Sequence, residues 1–187
     1  LIPLAFTGLS TVSAFDVTCG FNHNFVINKA DNVTTNMVIG WGSNFFKQTD
    51  WATASGTAAV APKYINIPGT SEPLTAVQID GGYGHTIALT GDWPDGGIVA
   101  WGLNNFGQVD GVPAAPDESP DRSLTSTTHL EISGHALSGV SAIAAGGFHN
   151  LAIYTTQSYG AAISATQTDY VTDVENQVIS WGSGYQQ

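Results

Sequence analysis

Charge is what this chain has least of. Only 10% of its 187 residues are Asp, Glu, Lys or Arg, against about a quarter in an ordinary soluble domain. Lys and Arg together number 4 and Asp and Glu 15, which leaves a net charge of −11. A nucleic-acid-binding protein must replace phosphate counterions with its own cations. The composition therefore argues against direct nucleic-acid binding, and an anionic membrane surface would repel the chain for the same reason. Long exposed helices draw on Lys and Glu, and both are scarce. Cys19 is the single cysteine, so an internal disulfide framework is excluded. It lies in an apolar stretch and is expected as a buried structural thiol. There is no run of about 20 apolar residues to span a bilayer, and the apolar start from Leu1 to Phe6 lacks the basic flank of a signal peptide. Catalytic patterns are also missing: no Gly-x-Ser-x-Gly elbow, no phosphate-binding Gly-Lys-Ser/Thr loop and no His-Glu-x-x-His. The chain is expected to be non-enzymatic and to carry no cofactor.

In place of charge stand Gly, Ser, Thr, Asn and Ala, a composition of turns and short strands, while a 42% hydrophobic share still allows a packed core. Comparing the chain with itself shows an internal repeat. FDVTCGFNHNFVI (15–27), VQIDGGYGHTIAL (77–89) and SAIAAGGFHNLAI (141–153) align without gaps, and each places a Gly three residues before a His: Gly20/His23, Gly82/His85 and Gly146/His149. A second set follows in the same order: NMVIGWGSNFFKQ (36–48), GGIVAWGLNNFGQ (96–108) and NQVISWGSGYQQ (176–187), carrying Trp41-Gly42, Trp101-Gly102 and Trp181-Gly182. A weaker third element (LIPLAFTGLS, INIPGTSEPLT, LEISGHALSG) precedes each Gly-His segment. The repeats divide the chain at 1–62, 63–127 and 128–187.

Gly-x-x-His, an Ala-Leu-like strand and then Trp-Gly-x-Asn-x-x-Gly-Gln resembles the regulator-of-chromosome-condensation repeat. The middle copy matches best, through His85, Ala88, Leu89, Trp101, Gly102, Asn104, Gly107 and Gln108. The first copy departs at Lys47, where Gly is expected, and the third at Gly184, which replaces Asn. The resemblance implies an all-β fold of propeller blades, three of them visible here. It also implies a seven-bladed ring, which at about 62 residues per blade needs about 430 residues, so the chain is expected to be part of a longer protein.

Residue chemistry gives the repeated positions structural roles. Gly20, Gly82 and Gly146 are expected where the backbone needs positive φ or where a neighbouring blade comes close. Each of Trp41, Trp101 and Trp181 offers a large apolar face and one N–H that needs an acceptor if buried. His23, His85 and His149 recur once per blade rather than in close ligand pairs, so they read as hydrogen-bonded structural residues rather than metal ligands.

Partner contacts are sought outside the repeat. Trp51 and Trp93 stand in loops where a large aromatic can anchor a partner. Asp169, Tyr170 and Asp173 belong to the long insert from Thr155 to Glu175, a first candidate for a contact. A protein-interaction module is the favoured reading, as a surface or assembly component in an extracellular or virion setting. The partner would be another protein or a neighbouring subunit. Guanine-nucleotide exchange on a small GTPase, which the family implies, and glycan binding through loop aromatics such as Trp93 and Tyr83 are the alternatives.

Overall fold

A computed structural model describes residues 14–29, 36–91, 97–112, 124–127, 130–132, 135–137, 139–155 and 176–183. Three antiparallel sheets follow one another along the chain. The first is formed by β1 (Ala14–Cys19), β2 (His23–Lys29), β3 (Asn36–Asn44) and β4 (Thr57–Tyr64) in simple sequential order. The second repeats it with β5 (Gln78–Gly81), β6 (His85–Leu89), β7 (Ile98–Leu103) and β8 (Leu124–Thr127). After a short hairpin of β9 (Glu131–Ile132) and β10 (His135–Ala136), the third sheet joins β11 (Val140–Ala145), β12 (His149–Thr155) and β13 (Asn176–Gly182). These are blades of the type that the repeat implies.

The Gly-x-x-His segment is a hairpin. β1 ends at Cys19, residues 20–22 turn, and β2 begins at His23, with Cys19 opposite Asn24 and Val17 opposite Val26. The other two copies do the same at 82–84 and 146–148. The apolar run hides the turn because both arms of the hairpin are apolar.

Side-chain alternation along each strand sends successive residues to opposite faces, and here both faces of a blade meet a neighbour. Ala88, Val99 and Trp101 of the second blade pack with Phe25 and Ile27 of the first. Ile87, Leu89, Ile98 and Ala100 pack on the other side with Ile143, Ala152 and Trp181 of the third. Every residue of β6 and β7 is accordingly buried, and neither strand shows the polar alternation of a half-exposed sheet.

The innermost strands are tied by side chains that act in place of strand pairing. Gln78 donates its amide to the Ile143 carbonyl at 2.8 Å and accepts from the Ile143 N–H at 2.9 Å. Asp80 braces both neighbours, accepting from the Thr18 hydroxyl at 2.6 Å and from the Ala145 N–H at 2.8 Å. Main-chain bonds from Phe21 N–H to the Gly82 carbonyl and from Tyr83 N–H to the Gly147 carbonyl repeat the same step between blades.

Cys19 is exposed, which corrects the expectation of a buried thiol. Its equivalent in the second blade, Gly81, lies so close to the first blade that an added Cβ would meet Gly20 and His23 at 2.9 Å. On the first blade no described residue takes that covering place, so the thiol and Val17 beside it face outward.

Candidate functional site

Each blade junction is closed by the same polar latch. His23 Nε2 lies 3.0 Å from the Thr86 hydroxyl, and His85 Nε2 lies 2.8 Å from Asn150 Oδ1. Thr86 and Asn150 are each the residue after the next blade's His. They pass the bond on: the Thr86 hydroxyl donates to the Gln48 carbonyl at 2.7 Å and the Asn150 amide donates to the Gln108 carbonyl at 2.6 Å. Those carbonyls also accept the indole N–H of Trp101 at 2.9 Å and of Trp181 at 3.2 Å. Because Thr86 spends its proton on Gln48, it can only accept from His23. Both imidazoles are therefore the neutral tautomer with hydrogen on Nε2.

Nδ1 of both rings is buried without a partner. Burial is the main reason that their pKa values are lowered from 6.5 to about 4. The charge of His85 adds to this at His23, while the bond to Asn150 opposes it at His85. Near neutrality both rings are uncharged and serve as donors in the latches between blades. His149 lies in the same hairpin position but is exposed, beside the exposed Leu151 and Val178.

The motif glycines owe their identity to close approach and not to backbone sign, since none of Gly20, Gly82 and Gly146 has positive φ. A Cβ on Gly82 would sit 2.1 Å from Cε1 of His85 and 2.6 Å from the Gly146 carbonyl. Trp41 heads the first blade, half-buried. Of the residues sought as partner contacts, Trp51 is half-buried against the core between the first two blades, and the Lys47 ammonium lies 4.6 Å from its ring centre. Trp93, Asp169, Tyr170 and Asp173 lie outside the described residues, as does the insert after Thr155.

A different set of aromatics converges on one face. The β1–β2 turn lifts Phe21, the β5–β6 turn lifts Tyr83, and the β11–β12 turn lifts Phe148. The loops after β3 and β7 add Phe45, Phe46 and Phe106. Those loops are held by Asn and Gln side chains of the repeat itself. Asn44 Oδ1 accepts the N–H groups of Thr49 and Asp50, and Asn104 Oδ1 accepts those of Val109 and Asp110. Gln48 and Gln108 accept from the N–H of Phe46 and Phe106 at 2.7 and 2.8 Å. Gly107 takes φ 75° in its loop and Lys47 takes φ 59° at the same place, so the first loop keeps its shape without the glycine.

The rings form a continuous strip. Phe21 and Tyr83 stack with centres 4.8 Å apart, Tyr83 and Phe148 lie 5.2 Å apart, and Phe148 and Phe106 lie 5.5 Å apart. Phe46 approaches Tyr83 at 6.3 Å and Phe45 at 5.0 Å. Phe21 is 65% exposed and Phe45 57%. Between them runs an open groove of about 310 Å³ lined by Phe21, Asn22, Ser43, Phe45, Phe46, Gln48 and Tyr83, with no charged side chain in the lining. Tyr83 alone of these rings is named by the sequence reading, as a sugar-stacking candidate. The signal for the rest lies inside the motifs, at the first or second residue after the motif Gly and at the first or second residue after the loop Asn.

No protein-family model and no curated protein matches the chain. Solved structures do. Human WBSCR16 superposes with a TM-score of 0.53 at 21% identity, over 74% of this chain and 32% of that one. Prp20p from Saccharomyces cerevisiae, described with its binding properties to Gsp1p and histones, gives 0.50 at 20% identity, over 79% and 30%. Yeast RCC1 (Prp20) bound to Kap60 gives 0.48 at 18% identity, over 75% and 30%. The chain thus has the fold of RCC1-type propeller blades and spans about a third of the length of the structures it resembles.

Proposed function

We propose that this chain is a non-enzymatic protein-docking part of a propeller, and that the aromatic strip is its contact surface. The observation that carries the reading is the exposure of Phe21, on a turn bonded through its N–H to the Gly82 carbonyl, and of Phe45, on a loop held by the buried Asn44 and Gln48 side chains. Isolated exposed apolar residues are ordinary, whereas a contiguous apolar patch on one face marks an interaction site. Rigid aromatics lose little entropy on binding and dominate hot spots. Propellers of this fold bind proteins, as Prp20p does Gsp1p and histones and as yeast RCC1 does Kap60. The excess of acidic residues fits a surface or assembly component outside the nucleus, and a nuclear distribution of the native protein would count against that setting.

Nucleotide exchange on a GTPase rests on likeness of fold alone, and fold does not assign function. The docking reading is tested by placing a photo-crosslinking amino acid at position 45 of the full-length native protein, with position 72 as control. A protein adduct from position 45 and none from position 72 is expected. Equal or absent labelling at position 45 removes the assignment.

A further inference from the structure

We infer that the chain joins head to tail with a second copy of itself, the open side of the third blade seating on the open side of the first. This contact lies on the sides of the outer blades and is independent of the aromatic strip. Each junction inside the chain has two unlike halves. One half presents a motif His with apolar side chains around it: His23, Phe25, Ile27 and Val38 on the first blade, His85, Ile87, Leu89 and Ile98 on the second, all buried. The other half presents the acceptor after the next His, Thr86 or Asn150, and a buried aliphatic of the innermost strand, Ile79 or Ile143.

The third blade carries a complete first half. His149, Leu151, Ile153 and Val178 stand in register with the buried sets, and all four are exposed, Val178 by 68% against 0% for its equivalents Val38 and Ile98. The His149 ring makes no hydrogen bond among the described residues. The first blade carries the second half. Asn24, half-buried at the place of Thr86 and Asn150, makes no side-chain hydrogen bond among the described residues, and Val17, at the place of Ile79 and Ile143, is exposed. One end of the chain therefore offers an unused imidazole and the other its matching acceptor, each beside uncovered apolar surface.

The two closed junctions specify what the open side of the third blade accepts: an aliphatic on an innermost strand and, seven residues on, a side-chain oxygen beside a Gly-x-x-His turn. Val17 and Asn24 keep that spacing. A contact between unlike halves is heterologous, so copies add in one direction and either close a ring or extend a line. The open side also lacks the braces of the inner junctions. Gln78 and Asp80 tie the second blade to the third, and Ala142 and Ala144 stand at their places in the third. Latch and apolar surface alone hold such a joint, which suits a contact that separate molecules make and release. Cys19 stands where Gly81 is buried inside the chain, so the joint covers its thiol.

The test is sedimentation of the full-length native protein beside thermal melts. Wild type is expected to sediment as two or more chains. Val17→Asp and Val178→Asp, each at a mostly exposed position, should each sediment as a single chain with the melting temperature little changed. An equimolar mixture of the two should restore a two-chain species, because one variant keeps the first half of the joint and the other keeps the second. Cys19 should react with a maleimide more slowly in wild type than in Val178→Asp.

A single-chain wild type overturns the proposal. If both substitutions then lower the melting temperature sharply, further blades of the same polypeptide cover the two sides. Assembly that survives both substitutions, or that the mixture does not restore, overturns the head-to-tail contact. Failure of the crosslink at position 45 leaves this joint standing, and failure of the joint leaves the docking reading standing.

Discussion

Protonation of the two buried latch histidines gives the sharpest quantitative expectation. His23 and His85 are fully buried, each with an unpartnered Nδ1, and their pKa values are lowered from 6.5 to about 4. A base whose folded pKa is depressed is neutral in the native state at a pH where the unfolded chain already binds a proton. Stability therefore falls as pH drops below 6.5 and levels off once the folded rings titrate near 4. One pKa unit corresponds to about 1.4 kcal/mol, so between pH 7.5 and 4.5 each ring costs roughly 2 to 3 kcal/mol and the pair about 5. That is comparable with the whole stability of many domains.

Carboxylates begin to protonate by pH 4.5, so the histidine share is read as a difference between two proteins that carry the same carboxylates. The assay is urea unfolding of the native protein at both pH values, set against the double variant His23→Gln/His85→Gln. Glutamine does not titrate, so the variant should lose about 5 kcal/mol less than wild type over the interval. An equal loss in both proteins would refute the claim that these rings are held neutral by burial.

Other expectations follow from the same contacts. Gly82→Ala should destabilise by about 3 kcal/mol, because the new methyl overlaps His85 and the Gly146 carbonyl, while Gly147→Ala, with nothing within 4 Å, should be nearly neutral; thermal melts distinguish them. Trp101→Ala should cost about 4 kcal/mol through loss of a fully buried indole and its bond to Gln48, and Trp51→Ala, half-buried, roughly half of that. Burial pushes the Asp50 carboxyl up, but hydrogen bonds from Lys63, Thr53 and the Ala52 N–H and the Lys63 charge outweigh it and hold the pKa below the usual carboxylate range. Its stabilising contribution is present above that range and is lost as pH falls through the folded pKa. Lys63→Gln should raise the Asp50 pKa, read by carboxyl NMR titration.

The blade order and the burial of His23, His85, Trp101 and Trp181 were legible because a repeated core residue must meet the same neighbour in each copy. Repetition alone identifies such a position as packing. The hairpin within 15–27 was not legible, since a turn inside a blade junction has apolar arms on both sides and its only markers, Gly20 and Asn22, resemble motif residues. Cys19 misled for a related reason. Local apolarity predicts burial only where something covers the face, and the first blade presents that face outward. The aromatic strip was not legible because Phe46 and Phe106 look like members of the Trp-Gly signature, while Trp51 and Trp93 stand apart from it. Here the blades bring repeat-borne rings side by side, which sequence distance conceals.

The central claim is that this strip holds the partner. It is tested most directly by Phe21→Ser/Phe45→Ser in the full-length native protein, with complex formation measured by sedimentation beside a thermal melt. The account predicts loss of the complex with the melting temperature little changed, because both rings are mostly exposed. A complex that survives these substitutions in a folded protein would contradict it.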